Sequence, residues 1–596
     1  MTPEIFIQNK AALAVKALYG AEVETATLQV AVTRKEFEGD YTLVVFPLLR
    51  LSRTTPENTG NAIGEWLVAN VPEIASFNSV KGFLNLSFSS VYWDEMFQSI
   101  ASDPAFGQLP PTGRRIMVEF SSPNTNKPLH LGHIRNNLLG DSVSRLLKAC
   151  GNEVIKATLV NDRGVHICKS MLAWQKAFNG RTPASTGIKG DHLVGDCYVA
   201  FNDIYQKEVA SLVAGGMDAE EAKKKAPSLT EAHEMLVKWE QGDPEVRELW
   251  KTMNGWVLDG FAETYKALGI SFDKVDFESD TYLLGKELVQ KGLQSGVFEK
   301  EADGSVWCDL TADGLDRKLV LRGDGTSVYI TQDLGTAERR FSQYNLDSHV
   351  YVVGNEQDYH FQVLKLILGK LGFAWADQIF HLSYGMVELP EGKMKSREGT
   401  VVDADDLIQK MYEEAKRTSE ESGKLADLGE EEKDQLYRMI GLGALKYFII
   451  KVDPKKTMLF NPKESIDFNG NTGPFIQYTH ARIRSILRKA AAQGIETGPS
   501  DITTDLVPSA KEVRLIKLLN LFPSKVAEAG AALSPAIVAN YAFDLAKEFN
   551  QYYHDTPVLR EPDPAILKFR LVLIGTLADI LVRAMGILGI ELPERM

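Results

Sequence analysis

Short apolar runs alternate with helical patterns through the middle of the chain. Five of these runs are rich in β-branched or aromatic residues and are predicted to be strands. They are IMVEF at 116–120, VIKATLV at 154–160, VYIT at 328–331, VYVVG at 350–354 and QIFHLSYGMV at 378–387. Between them, apolar residues recur every three or four positions, as in amphipathic helices. This alternation predicts an α/β domain with a Rossmann-like, doubly wound parallel sheet.

The pattern differs at the two ends of the chain. Before residue 109, a helical start precedes strand-like runs at 42–49 and 80–88, and the Pro/Gly stretch QLPPTG at 108–113 closes this part. After residue 427, amphipathic helices follow one another, as in a helical bundle. The sequence therefore predicts an α+β N-terminal domain at 1–108, an α/β domain at 109–427 and an all-α domain at 428–596. A polar helical stretch at about 175–258 is expected to be an insertion outside the sheet.

Composition narrows the class of protein. The chain has 596 residues, 44% hydrophobic and 24% charged, as in ordinary globular proteins. It has no apolar run of the ~18–20 residues that span a bilayer, and its start lacks a signal-peptide pattern. Its four cysteines have neither zinc-binding nor disulfide spacing. We therefore expect a cytoplasmic protein with no membrane partner. The net charge of −14 argues against a non-specific nucleic-acid coat but leaves room for local basic surfaces.

Candidate chemistry concentrates between the first predicted strand and the helix that follows it. There the sequence reads SSPNTNKPLHLGHIRNNLLGD at 121–141. A helix N-terminus at the carboxyl end of a parallel strand offers unpaired N–H groups to phosphate. His130 and His133 can donate hydrogen bonds to phosphate oxygens, and Gly132 lets a base or ribose approach the backbone. The bare HxGH pattern also fits two histidines that cap an ordinary helix, but the longer context P-N-x-x-K-P-x-H-x-G-H-x-R-N-N favours an ATP site.

With this context the chain resembles the class I aminoacyl-tRNA synthetases and, within them, the arginyl-tRNA synthetase family. HLGH stands where that class carries its HIGH motif. The resemblance covers nearly the whole chain. Its other motifs are GDYT at 39–42, GFLN at 82–85, VNDRG at 160–164, RGDGTSVYITQDLG at 322–335, VVGNEQDYHFQ at 352–362, GMVELPEGKMKSREGT at 385–400, FNGNTGPFIQYTHARIRSIL at 468–487 and PERM at 593–596.

The family's second ATP element is the KMSKS loop, here GKMKSREG at 392–399. Lys393 and Met394 match it, but Ser396 stands where the second lysine is usual. The missing charge has two candidate sources: Lys395 in the loop itself, or Lys127 ahead of HLGH, at the position that the family is thought to use instead. By itself the loop also fits a solvated basic turn.

The resemblance implies ATP and Mg²⁺, without a metal site made of protein ligands. The implied catalytic residues are His130, His133, Lys127 and Lys393. The implied ATP-binding residues are His130, Gly132, His133, His360, Met386, Lys393 and Met394, with Asp324 as a further adenine- or ribose-side candidate.

Reading an arginine substrate needs acceptors for a planar guanidinium, and carboxylates suit its bidentate fork. The family's arginine-contacting positions match Glu119, Asn124, Tyr329, Asp333 and Gln357, which we expect at strand ends around one crevice. Two alternatives stay open. Glu119 also fits a salt bridge with Arg114 or Arg115, or an outward-facing position, and Tyr329 also fits core packing.

The C-terminal domain carries the residue pattern expected of a surface that binds an anticodon loop. Cations that bind phosphates, together with rings that stack on bases, hold single-stranded RNA. The resemblance places Phe475, Tyr478, Arg482 and Met596 near that loop, although the family has tyrosine at the position of Phe475. Arg484, Arg488 and Lys489 add charge, but such residues also form ordinary solvated helix faces. In the N-terminal domain, Phe83 and Asn85 are candidates for contacting the tRNA elbow, with strand packing as the alternative.

The resemblance therefore predicts a monomeric ligase that activates L-arginine with ATP and transfers it to tRNA(Arg). Three rivals remain. A cysteinyl-type synthetase would need a thiol-binding metal site, for which the Cys/His spacing gives no signal. A small-molecule nucleotidyltransferase would not explain the C-terminal domain. An RNA-binding relative without catalysis would not need His130, Gly132, His133 and Lys393 intact.

Overall fold

The computed structural model of the protein describes residues 3–34, 36–388, 402–422, 428–502 and 506–596. Its N-terminal part packs helices on one antiparallel sheet of strand order β1-β2-β4-β3, as predicted. The run predicted as one strand at 80–88 is the end of a hairpin, because Lys81 and Gly82 turn the chain with positive φ angles. The elements are α1 (Pro3–Tyr19), β1 (Val30–Val32), β2 (Tyr41–Val44), α2 (Leu49–Ser52), α3 (Pro56–Asn70), β3 (Ile74–Val80), β4 (Phe83–Phe88) and α4 (Ser90–Ser102).

The middle of the chain is an α/β domain around a five-stranded parallel sheet. The sheet elements and their connections are β5 (Arg115–Glu119), α5 (Leu131–Ala149), β6 (Glu153–Val160), α6 (Val165–Ala177), α7 (Pro183–Thr186), α8 (Gly190–Ala214), α9 (Ala219–Lys225), α10 (Pro227–Gln241), α11 (Pro244–Leu268), β7 (Lys274–Phe277), α12 (Glu278–Thr281) and α13 (Lys286–Ser295). The remaining elements are β8 (Glu299–Lys300), β9 (Val306–Cys308), β10 (Lys318–Leu321), α14 (Tyr329–Tyr344), β11 (Ser348–Gly354), α15 (Asp358–Lys370), β12 (Ile379–Tyr384), β13 (Val387–Glu388) and α16 (Ala404–Ser422).

The strand order of this sheet is β12-β11-β5-β6-β7, and every neighbouring pair is parallel. The chain builds outward from β5 to β7 and then returns to build β11 and β12 on the other side. The order therefore reverses between β5 and β11, which in open α/β sheets is where ligands bind. Ile116 and Val118 belong to the core cluster that includes α5, whereas Met117 belongs to the one with α14 and α15. Helices thus cover both faces, which confirms the doubly wound prediction.

The strand predicted at 328–331 is wrong, because those residues lead into and begin α14. Its β-branched and aromatic residues favour a strand locally. However, Ile330, Leu334, Ala337 and Phe341 are all buried at helical spacing, so the packing of the whole segment overrides the local preference. The edge strand β7 and the small antiparallel sheet β10-β9-β8 were not predicted from the sequence.

The predicted insertion is helical and lies between β6 and β7. Helices α7 to α11 form it, and α8 and α11 pack backbone to backbone. A Cβ atom at Gly190 would lie 2.0 Å from the carbonyl oxygen of Trp256, so only glycine permits this approach.

In the described residues from 428 to 596, the C-terminal part is helical, as predicted, apart from one two-residue strand that pairs with β13. Its elements are α17 (Glu430–Ile450), β14 (Met458–Leu459), α18 (Pro462–Ser465), α19 (Gly473–Ala492), α20 (Ala510–Asn520), α21 (Phe522–Ala532), α22 (Ala536–Asp555) and α23 (Pro564–Ile587). The N-terminal sheet contacts this bundle through an ion pair between Asp40 and Lys517. Within the described ranges, no helix combines the length and apolarity needed to cross a membrane.

Candidate active site

The HLGH turn joins β5 to α5 at the point where the strand order reverses. His130 is the N-cap of α5, and its Nδ1 accepts a hydrogen bond from the Gly132 N–H at 3.1 Å. The Nδ1 of His133 accepts one from the His130 N–H at 3.2 Å. Because each neutral ring accepts at Nδ1, each carries its proton on Nε2, where it can be donated to a ligand. The turn therefore presents two neutral N–H donors.

Burial keeps these rings neutral. It lowers the pKa of His130 to about 4, with help from the positive charge of Lys127 and against the effect of Asp403. Burial, followed by the neighbouring His130 and Lys127, holds the pKa of His133 well below its usual value. A Cβ atom at residue 132 would lie 2.9 Å from the His130 ring, so Gly132 makes room for that ring over the helix terminus. The predicted cap and the predicted phosphate-donor role are thus compatible, because each Nδ1 accepts a backbone hydrogen bond and each Nε2–H stays available for a ligand.

A cavity of about 820 Å³ opens at the carboxyl ends of β5, β11 and β12. Glu119, His130, Gly132, His133 and Met386, all predicted from the sequence, line it. Asn136 of α5 connects the walls of this cavity by hydrogen bonds. The Asn136 side chain accepts from the Ser121 N–H at 2.5 Å and donates to the Val352 carbonyl at 2.7 Å and to the Tyr384 hydroxyl at 3.1 Å.

His130 also lines a neighbouring cavity of about 570 Å³, between the HLGH turn and α8 of the insertion. Asn124 and Lys127 line this second cavity, and His166 and Tyr198 stand opposite them. The predicted residues around the turn therefore divide between two cavities that share one histidine.

Glu119 is buried at the end of β5, 8% exposed, and its partner is neither of the predicted arginines. Its Oε2 pairs with Arg340 of α14, which also contacts Asp276 at 2.9 Å. Its Oε1 accepts from the Ser122 hydroxyl at 3.2 Å. Arg115 pairs instead with Glu153. The alternatives of a local salt bridge and of an outward-facing carboxylate are both wrong. Glu119 faces the cavity while a buried cation from a distant helix fixes it.

Of the other predicted arginine-contacting residues, Tyr329 and Asp333 lie on α14, not at a strand end as expected. Asn124 lies in the turn after β5 and Gln357 just after β11, both beyond strand ends as expected. Tyr329 and Asp333 are one helical turn apart, and Tyr329 is 76% exposed, so the core-packing alternative is wrong for it. The Oδ2 of Asp333 lies 2.6 Å from the Nε2 of His360. Gln357 is the N-cap of α15, just before the helix that carries His360. Asp324 is exposed and accepts from the Thr326 N–H and hydroxyl, its own local turn.

Sequence reasoning missed Glu278, which stands at the carboxyl end of the missed strand β7. Burial raises the pKa of this carboxyl to about 7, with the charges of Asp162 and Asp333 adding to the rise and Arg163 opposing it. Glu278 and Asp333 lie on neighbouring elements, and the negative charge of Asp333 disfavours ionisation of Glu278. If β7 had been recognised as a parallel strand, the acidic residue at its carboxyl end would have indicated a candidate site residue.

Lys393, Met394, Lys395 and Ser396 lie outside the described residues. Lys127 and Lys395 therefore both stay predicted substitutes for the missing lysine.

The predicted RNA-contacting residues of α19 are partly engaged within the protein. The guanidinium of Arg482 lies 4.8 Å from the ring centre of Tyr478 and also contacts Asn550. Phe475 packs on Phe543 with ring centres 5.4 Å apart. Arg484 and Arg488 both reach Glu594 near the C-terminus. Lys489 is exposed, and Met596 packs against the main core.

In the N-terminal sheet, Phe83 is exposed, as the prediction requires, and Phe46 packs against its edge with equal exposure. Asn85 differs from the expectation. It is buried, and its side-chain oxygen accepts from the Thr42 hydroxyl. It thus supports the strand that carries Phe83 and does not present its amide to solvent.

Comparison with known proteins agrees with this architecture. A family model described as "tRNA synthetases class I (R), catalytic domain" matches residues 97–461, beyond the predicted 109–427 on both sides. A model described as "DALR anticodon binding domain" matches residues 476–596.

Similar proteins match over the full chain. The chain is 59% identical over 583 residues to the arginine–tRNA ligase of Bacteroides thetaiotaomicron and 56% identical over 596 residues to that of Flavobacterium psychrophilum, with 98% of both chains covered in each case. The solved Thermus thermophilus arginyl-tRNA synthetase superimposes over the full length of both chains, with a TM-score of 0.79 and 26% identity. Because the family models and the full-length relatives agree with the fold around the HLGH turn, the chain belongs to the arginyl-tRNA synthetase family of class I aminoacyl-tRNA synthetases.

Proposed function

We propose that this chain activates L-arginine with ATP and esterifies it to tRNA(Arg). The observation that carries the proposal is the pair of neutral Nε2–H donors at a helix N-terminus, facing the cavity where the strand order reverses. In the first step, a carboxylate oxygen of arginine attacks the α-phosphorus of ATP. The bond to the bridging oxygen breaks, and pyrophosphate leaves with its electron pair. In the second step, a hydroxyl of the terminal tRNA ribose attacks the arginyl carbonyl, and AMP leaves.

Catalysis in this scheme comes from positioning and from stabilising charge on phosphate. His130 and His133 donate hydrogen bonds to oxygens that gain negative charge as the α-phosphorus reacts. Donors of this kind need not become cations, and their low pKa values keep them in the donating, neutral form at neutral pH. Lys127 and Lys393 are proposed to neutralise the departing pyrophosphate as point charges. His360 and Met386 are proposed to contact the nucleoside end of ATP, and Met394 the ATP near Lys393.

We expect Mg²⁺ to enter with ATP, bound to its phosphates, where it supplies charge neutralisation. Among the described residues, only Asp191, His192 and Asp405 bring three metal-capable side chains together. The ammonium group of Lys189 already contacts both carboxylates of that group, at 3.4 and 2.5 Å. A resident cation therefore fits poorly there, which supports a metal carried by the nucleotide.

Arginine recognition is proposed to use carboxylates on two sides of the substrate. Glu119, held by Arg340 and Ser122, is suited to accept from the α-ammonium group, with Asn124 and Gln357 as further polar contacts. Asp333 and Glu278 are suited to the guanidinium, with the exposed ring of Tyr329 beside them. A bidentate fork distinguishes guanidinium from the point charge of lysine.

A pH dependence of arginine binding follows from Glu278. A guanidinium placed between Glu278 and Asp333 favours the ionised carboxylate, so binding at neutral pH releases a proton. Since the pKa of the free carboxyl is about 7, the dissociation constant for arginine should rise about tenfold between pH 8 and pH 6, as linkage requires. Calorimetric titration in two buffers of different ionisation enthalpy measures both effects.

The matched variants for this prediction are Glu278→Gln and Asp280→Asn. Glu278→Gln should bind arginine more weakly and lose the pH dependence, whereas the exposed Asp280 two residues later should leave both unchanged. A pH dependence that survives in Glu278→Gln would assign the titration to another group.

The tRNA is proposed to contact both ends of the protein. Phe475, Tyr478, Arg482 and Met596 mark the anticodon side, and Phe83, with Asn85 supporting it, marks the elbow side. We keep the domain division at 1–108, 109–427 and 428–596, and we propose a cytoplasmic monomer.

The overall proposal is tested by aminoacylation of total tRNA with labelled arginine. Acid-precipitable label is expected with arginine and not with lysine, and excess unlabelled lysine should not compete. Equal charging with lysine would overturn the proposed guanidinium contacts of Asp333 and Glu278.

A further inference from the structure

The HLGH turn is paired, backbone to backbone, with the chain segment at 402–404. The Leu131 N–H donates to the Val402 carbonyl, and the Ala404 N–H donates to the Leu129 carbonyl, both at 3.0 Å. His130 and Asp403 form the antiparallel bridge between these bonds. Whatever holds residues 402–405 therefore also holds the backbone of His130. In the sequence, GKMKSREGT ends at Thr400, so the same segment follows directly after the second ATP motif.

Charged side chains of the helical insertion form hydrogen bonds and ion pairs with this segment. The Nζ of Lys189 donates to Asp405 at 2.5 Å, to Thr264 at 2.6 Å and to Asp191 at 3.4 Å. The Thr264 hydroxyl donates to the other oxygen of Asp405 at 2.8 Å. The Nε2 of His192 lies 3.2 Å from Asp403 and 3.4 Å from Asp405. Cations and carboxylates attract at these separations, most strongly at Lys189 and Asp191, where the side chains are 16% and 1% exposed, and less at His192 and Asp405, which are 31% and 30% exposed.

The network is rigid on both sides. On the insertion side, the Lys189 side chain is 16% exposed and that of Asp191 1% exposed, and a Cβ atom at Gly260 of α11 would lie 2.3 Å from an Asp191 oxygen. On the other side, Asp403 accepts from the backbone N–H groups of Asp405 and Asp406 at 2.8 and 3.2 Å, as a cap of α16. The carboxylates of Asp403 and Asp405 beside its Nε2 raise the pKa of His192 to about 10, so its charge persists at neutral pH.

We infer that Lys189 and His192 of the helical insertion are positioning residues for arginine activation, which hold the HLGH turn at His130 by fixing residues 403–405. In this role neither residue contacts the substrate, although the His192 side chain also lines the second cavity. The inference rests on the proposed function and gives the insertion a part in the first step. It predicts an effect on ATP use that exceeds any effect on arginine binding, because His130 serves phosphate.

The test compares Lys189→Met with Lys176→Met. Lys176 of α6 is the matched control, since its ion pair with Glu231 of the insertion, at 2.7 Å, involves neither the HLGH turn nor residues 402–405. In single-turnover arginyl-adenylate formation, Lys189→Met should lose about tenfold or more in rate or in apparent ATP affinity, since small misplacements of reacting groups are costly. Its KM for arginine should stay within about twofold of wild type. Lys176→Met should match wild type throughout, and Lys189→Arg should recover part of the loss.

Two further measurements guard against a folding artefact. Thr264→Val removes only the hydroxyl between Lys189 and Asp405, and it should shift ATP use in the same direction by a smaller factor. Thermal unfolding of each variant shows whether the folded fraction accounts for the rates. The inference is overturned if Lys189→Met behaves as Lys176→Met, or if ATP and arginine parameters fall together in proportion to the unfolded fraction. Arginine-dependent activity in wild type, measured alongside, separates that result from failure of the proposed function.

Discussion

Replacing Arg340 with leucine should destabilise the protein by about 3–5 kcal/mol, the cost of removing one partner from a buried ion pair. Arg340 is 1% exposed and lies between Glu119 and Asp276, which are 8% and 5% exposed. Without its guanidinium, two buried carboxylates lose their main cation, although Arg339 still contacts Asp276 at 3.1 Å. Urea unfolding followed by tryptophan fluorescence measures the shift.

The control for this variant is Arg317→Leu. Arg317 pairs with Glu301 at 2.7 Å, but its side chain is 41% exposed, so its loss should shift the unfolding midpoint far less than the loss of Arg340. The double variant Arg340→Leu with Glu119→Gln should recover part of the stability, because one of the two buried carboxylates that lost their cation is replaced by a neutral amide. Equal unfolding midpoints for Arg340→Leu and Arg317→Leu would contradict the assignment of Arg340 as the residue that fixes Glu119.

Replacing His130 with asparagine should slow arginyl-adenylate formation by about 10²–10³-fold, the effect of losing one preorganised donor to a developing charge. Asparagine is chosen because it caps helices well, so α5 keeps an acceptor for the Gly132 N–H. The melting temperature should therefore stay near that of wild type while the Nε2–H donor is lost. Rapid-quench measurement of arginyl-adenylate under single-turnover conditions reads the chemical step directly.

His554→Asn serves as the matched control for that substitution. Its side chain is 87% exposed in the C-terminal part and lies outside both cavities. A rate for His130→Asn within about tenfold of this control would show that the imidazole is a helix cap only.

Local chemistry made part of this structure predictable. The strands β5, β6, β11 and β12 are dense in apolar and β-branched residues, and the helical C-terminal part has clear periodicity. The site turn was also predictable, because His130, Gly132 and His133 act within one helical turn and their spacing carries the geometry. Strand β7, with the short sequence KVDF, offered no such density. The residues at the start of α14 locally favour a strand, and only the packing of the whole segment makes them helical.

The partners of the site residues were not predictable, because they are distant in sequence. Arg340 is 221 residues from Glu119, and Lys189 is 216 residues from Asp405. Nothing local to Glu119 distinguishes these partners from Arg114 or Arg115, which adjoin the same strand. Only the order of strands, with α14 leading into β11 beside β5, brings Arg340 to Glu119. Motifs therefore predict the candidate reacting side chains, whereas the fold determines which distant residues orient them.

The most direct test of the account is ATP–pyrophosphate exchange with each of the twenty amino acids, with and without total tRNA. We expect exchange with arginine and with no other amino acid, and the comparison with and without tRNA shows whether activation needs bound tRNA. Exchange with another amino acid would contradict the reading of Glu119, Asp333 and Glu278 as an arginine site. Absence of exchange with every amino acid, with tRNA present and bound, would contradict the account of the HLGH turn as catalytic.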